Sequence, residues 1–125
     1  MIRFPDDIIS IIFREMGLED EALRFNQELF YSTIYRYFKL HPSLFADFYF
    51  IESGTYPYSD LLERIITRHK ISRLLKTENP DFEFIRLKKG TSELIDRELK
   101  PNFDEGELEI LKSIGKELQG KLSSV

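Results

Sequence analysis

The chain of 125 residues contains no cysteine and no tryptophan, and only two histidines, five prolines and six glycines. Without cysteine there is no disulfide, no thiol nucleophile and no cysteine-ligated zinc. His41 and His69 stand far apart with no regular carboxylate spacing around them, so the reading is no metal and no cofactor. The glycines are isolated: none belongs to a Gly-x-Gly-x-x-Gly or Walker-type phosphate loop, and no Gly-x-Ser-x-Gly elbow is present. The acidic groups Asp6-Asp7 and Glu19-Asp20-Glu21 fall where helices are expected to begin, and the helix dipole accounts for them without catalysis. These absences together exclude the familiar enzyme signatures. No apolar run approaches the roughly 18 residues of a membrane span, and the N-terminal stretch lacks a secretory pattern. The expected setting is the cytoplasm, with no membrane partner.

An apolar share of 42 %, a third of it aromatic at 14 % of the chain, is ample for the core of a single domain. The net charge of −4 is distributed unevenly. Residues 1–59 carry five basic and nine acidic side chains, residues 60–100 carry ten basic and eight acidic ones, and residues 101–125 carry three and five. Arg64, Arg68, Lys70, Arg73 and Lys76 follow one another with no acid between Arg64 and Lys76. Such a block can attract phosphate although the whole protein is acidic. It also fits a solvated helix face and a lysine-protected edge strand.

The chain divides into N-terminal helices over residues 1–42, a helix-plus-hairpin core over 43–100, and a C-terminal helix over 101–125. Phe4-Pro5-Asp6-Asp7 predicts a helix start with Asp6 as cap, and Gly17 a helix stop. The isoleucines from Ile8 to Ile12, with Phe13 and Met16, make this helix apolar over more than half its circumference, as suits burial between elements or in a dimer. A second helix is expected from Glu19 to about Leu40, ended by His41-Pro42; its Tyr31, Tyr35 and Tyr37 fit rings at the core margin, or a surface that stacks on bases or meets a partner. Residues 43–47 suggest one helical turn and residues 48–52 a strand. Thr91-Ser92 suggests the cap of a helix that ends before Pro101, and Asp104 with Glu107 has capping-box spacing. Leu108, Leu111, Ile114, Leu118 and Leu122 form one stripe on the last helix, fit to close the core or to pair with a second copy.

The organising stretch is 56–90. Leu61, Leu62, Ile65 and Ile66 share one side of a helix started by Ser59 and Asp60, and Arg64 and Arg68 share another. From Ile71 the apolar period becomes strand-like, with Ile71, Arg73 and Leu75 on one side. Glu78-Asn79-Pro80-Asp81 is turn chemistry, and residues 82–87 form a return strand. A helix running into a hairpin and then into another helix resembles the core of winged-helix domains. The resemblance is carried by residues 61–71, by Phe84-Ile85-Arg86-Leu87-Lys88-Lys89-Gly90, and by the helix from Thr91. Phe48-Tyr49-Phe50 and Thr55-Tyr56-Pro57-Tyr58-Ser59 are similar to a pattern in uncharacterised archaeal winged-helix-like proteins and, more distantly, in Panacea-domain antitoxins. His69-Lys70-Ile71 departs from it, standing where Gly-Leu-Ile is common, which would place a left-handed backbone on His69.

The fold expected is therefore mostly α with a small β-hairpin wing, an α+β arrangement of winged-helix type with extra helices at both ends. The resemblance implies a DNA-binding transcriptional regulator, expected to be a homodimer on double-stranded DNA. The helix of 58–70 would present Arg64, Arg68 and Lys70, and the wing of 71–89 would present Arg73, Lys76, Arg86, Lys88 and Lys89. The alternative is a protein-interaction module or antitoxin-like adaptor that keeps the fold without DNA binding, its partner surface formed by residues 45–58 and the acidic N-terminal half. Against the DNA reading stand the net acidity and the lack of a good supporting helix ahead of residue 58.

Overall fold

The computed structural model describes residues 4–78 and 84–123. Five helices surround a three-stranded antiparallel sheet, a mostly α form of the α+β class. Helix α1 spans Pro5–Glu15 and its isoleucines, with Phe13 and Met16, are buried on several sides, between elements of the same chain. The cap is not Asp6. Phe4 occupies that position, and its amide donates to the Asp7 carboxylate at 3.1 Å, which frees Asp6 for a partner elsewhere. Gly17, with φ of 73°, ends the helix as expected.

No helix begins at Glu19. Residues 16–20 form turns, and Leu23–Arg24 forms a short strand, β1. Helix α2 then runs Gln27–Leu40 from Asn26, whose side chain accepts the Leu29 amide at 3.1 Å. The correction follows from capping chemistry: a polar side chain at the helix start outweighs a dipole-matched acidic run farther upstream. Tyr31 is buried and stacks on Tyr58, with centroids 5.7 Å apart, while Tyr35 and Tyr37 are partly buried against the core.

Residues 42–47 form turns, not a helical segment, and the strand expected over 48–52 reduces to a single antiparallel bridge between Ile51 and Tyr58. Helix α3, Asp60–Ile71, is capped by the Ser59 hydroxyl, which accepts the Leu62 amide at 3.2 Å. It continues through Ile71, so the strand expected from that residue starts later, as β2 at Leu75–Glu78. The left-handed residue at the exit is Arg73, with φ of 65°, and His69 is an ordinary buried helical residue. Strand β3, Phe84–Leu87, lies between β1 and β2 in register Leu75↔Leu87 and Lys76↔Arg86. The hairpin expectation holds, but Glu78, expected in the turn, is the last residue of β2, and residues 79–83 lie outside the described residues.

Gly90, with φ of 90°, caps helix α4, Thr91–Leu94, in place of Thr91-Ser92, and the Glu19 carboxylate accepts the Ser92 amide at 2.7 Å. The helix widens into π-type turns over Ile95–Leu99 and tightens into a 3-10 turn over Lys100–Asn102, where Pro101 has no amide hydrogen to lose. Helix α5, Glu105–Ser123, opens on the expected reciprocal box: Glu107 N–H donates to Asp104 at 2.8 Å and Asp104 N–H to Glu107 at 3.0 Å. Leu111, Ile114, Leu118 and Leu122 are buried in the chain's own core, so this stripe is not free for a second copy. At Gly115 the α5 backbone approaches α1 so closely that a Cβ would lie 2.8 Å from the carbonyl carbon of Glu15. Among the described residues, no helix is long and apolar enough to cross a membrane.

Candidate nucleic-acid interface

The eight basic residues singled out in the sequence fall into two groups. In the first, the charge is met inside the molecule. Arg68 donates from Nε and Nη2 to the two carboxylate oxygens of Asp6, both at 2.9 Å, and so joins α3 to the first turn of α1. The Arg68 guanidinium holds the Asp6 carboxyl below its ordinary value. Arg64 lies 3.2 Å from Asp60 one turn back, with both side chains largely exposed. Arg86 donates to Glu78 at 2.7 Å and to the Glu19 carbonyl at 3.0 Å, bracing the hairpin against the turn after α1.

Lys70, Arg73, Lys76, Lys88 and Lys89 make up the second group. All five are exposed, and none makes an ion pair with a described residue. Lys70, Arg73 and Lys76 rim one shallow depression floored by Leu75 and Thr77. Lys76, Lys88 and Lys89 rim a second, with Arg86, Glu19 and Asp20 also on its edge. Lys76 belongs to both, so the five cations form one ridge from the end of α3 along the hairpin. Glu19 and Asp20 set negative charge at one end of it, and the Ser92 and Gly90 amides hold the Glu19 carboxyl below its ordinary value, so that it stays ionised.

Two features of the ridge come at a cost in local stability. Leu75, Ile85 and Leu87 face the core, so Lys76 and its register partner Arg86 stand side by side on the outer face. Like charges directly opposite one another weaken a sheet, and Glu78 offsets only Arg86. Arg73 adopts a left-handed backbone immediately after the α3 cap, where glycine is the usual residue. A side chain there costs about 1 kcal/mol or more.

The exposed start of α3 is of the opposite sign. Asp60 and Glu63 lie in its first turn, where a recognition helix would meet base edges. Ahead of α3, the turns of residues 42–47 and the Ile51–Tyr58 bridge take the place of a supporting helix. The site is thus ridge-shaped, and centred on the hairpin and the exit of α3.

Sequence reasoning missed His69 and Ser10. His69 is 5 % exposed, its Nδ1 lies 2.8 Å from the Ile65 carbonyl, and its Nε2 lies 2.6 Å from the Ser10 hydroxyl. A carbonyl only accepts, so Nδ1 carries the proton and Nε2 accepts from Ser10. Burial pushes the imidazole below its ordinary value of 6.5 and keeps it neutral. The partners are 59 residues apart, and no local pattern joins them.

Among the described residues, no group of three or more His, Asp or Glu side chains is placed to hold a metal ion. Comparisons of the chain with protein-family models, with curated proteins and with solved structures find no match.

Proposed function

We propose that the protein is a DNA-binding regulator that grips the phosphate backbone of double-stranded DNA through Lys70, Arg73, Lys76, Lys88 and Lys89. The hairpin serves as a wing in the manner of winged-helix domains, and α3 positions the ridge without entering the groove as the main reader. The supporting observation is Arg73: a cation with no partner among the described residues, held in a backbone conformation that glycine would adopt at lower cost. Lysine on the edge strand β2 also discourages edge pairing, so Lys76 alone carries little weight. Arg73 lies off the strand and has no such role. Phosphate contacts of this kind supply affinity and register, and they carry little sequence information. A regulator of this kind would work in the cytoplasm.

The test is fluorescence anisotropy of a labelled random duplex at several salt concentrations, with wild type and with a triple variant, Arg73→Glu, Lys76→Glu and Lys88→Glu. Salt-sensitive binding that the triple variant loses, with its melting temperature kept, supports the reading. No binding at low salt, or binding kept by the triple variant, contradicts it.

A protein-interaction module is the second reading. Leu40, Tyr49 and Ile51 are 62 %, 76 % and 46 % exposed, and Phe48 and Phe50 between them are buried. The extended stretch therefore turns alternate large side chains outward, as an adaptor would need. A partner lost on Tyr49→Ser with Ile51→Ser, in a protein that ignores DNA, would favour this reading.

A further inference from the structure

On the α1 side of α3, away from the ridge residues, lies a cavity of about 370 Å³ between α1, α3, the hairpin and α4. One wall is apolar, made by Leu74, Leu87, Leu94, Ile95 and Leu99. The other presents Asp6, Asp7 and Ser10 from α1, with Arg68 and His69 from α3, and Glu98 stands on the α4 side. An apolar chamber of this size with a few converging polar groups is the usual form of a small-molecule site.

The polar wall is rich in hydrogen-bond acceptors. Ser10 spends its proton on His69 Nε2, so its oxygen has only lone pairs left to offer. Asp7 is an acceptor that already takes the Phe4 amide and has a second oxygen. Arg68 is the one cation on the wall among the described residues, and its Nε and one Nη2 bond are committed to Asp6. Asp6 is matched by Arg68, and one oxygen of Glu98 takes Arg97 Nε at 3.2 Å in a largely exposed pair, which leaves Asp7 without an ion-pair partner among the described residues and Glu98 with its second oxygen. A ligand head that donates hydrogen bonds and carries positive charge is matched, and a carboxylate head is opposed.

We infer that this cavity binds a small primary ammonium compound with an apolar body, its head among Ser10, Asp7 and Glu98 and its body against Leu87, Leu94 and Ile95. The site stands whether or not the ridge binds DNA.

Hexylammonium and hexanoate, titrated separately at fixed salt into the intact protein, distinguish charge from mere greasiness. The chain has only two histidines, so the imidazole NMR signals of His69 at the cavity wall and of His41 as an internal control are readily assigned. Saturable movement of the His69 signal with hexylammonium is expected, with His41 still and with hexanoate at least about tenfold weaker. Leu94 is 42 % exposed, so Leu94→Trp can crowd the cavity without emptying the core, and it should abolish the saturable shift. Movement of His69 with neither probe, equal response to both, or an undiminished response in Leu94→Trp each overturns the assignment.

Discussion

Arg68 and Arg73 sit little more than one helical turn apart and are used in opposite ways. Arg68 lies on the flank of α3 that faces α1, where Asp6 takes both ends of its fork, and its charge holds two helices together. Arg73 lies just past the helix cap, exposed and without an ion-pair partner among the described residues, in a left-handed backbone that a side chain makes costly. A basic residue that the fold uses reveals little about ligands. One that the fold carries at a cost is where function should be sought. Extended along the hairpin, the same contrast separates Arg64, Arg68 and Arg86 from Lys70, Arg73, Lys76, Lys88 and Lys89.

The contrast breaks most visibly under charge reversal on the ridge. The triple variant Arg73→Glu, Lys76→Glu and Lys88→Glu should weaken binding to a random duplex by about a hundredfold or more at low salt, as anisotropy would show. Its melting temperature should stay within a few degrees, because none of the three makes an ion pair with a described residue. Arg68→Met should do the reverse. Stability should fall by about 1 kcal/mol in chemical denaturation, a figure kept small because Arg68 and Asp6 side chains are 50 % and 33 % exposed, while duplex affinity stays within about twofold. Equal loss of binding in both variants would erase the distinction.

Arg73→Gly sharpens it further. Relief of the left-handed backbone should leave stability unchanged or raise it by up to about 1 kcal/mol, while duplex affinity falls severalfold. A loss of stability would mean that Arg73 serves the fold after all. The smallest effect concerns the helix pairing itself. His69 is held below its ordinary value of 6.5, so as pH falls through 6.5 the unfolded chain takes up a proton before the folded one does. Stability should therefore decline from pH 6.5 down to the folded value and level off below it. His69→Gln, read by denaturation at pH 7 and pH 5, should flatten that decline.

Much of this was legible locally. Ser59 and the apolar side of α3, the Asp104 and Glu107 box, Gly17 as a stop, and a hairpin after α3, though not its bounds, rest on short-range chemistry, and the structure has them. The failures share a cause. Glu19 has the local pattern of a helix start it does not make, because its real partner is the Ser92 amide, 73 residues away. Asp6 has the local pattern of a cap, and its true partner Arg68, 62 residues on, is invisible to such a pattern. The α5 stripe looked equally suited to a core or a partner, and only the packing of α1 against it decides for the core. The basic block was visible as composition, yet which of its members are free depends on these long-range pairs.

The most direct test is the salt dependence of duplex binding by the wild-type protein. If the five ridge cations each neutralise a phosphate, the logarithm of the association constant should fall against the logarithm of salt concentration with a slope of about −4.5. A slope close to zero, or no binding at the lowest salt, would contradict the ridge as a DNA-binding surface.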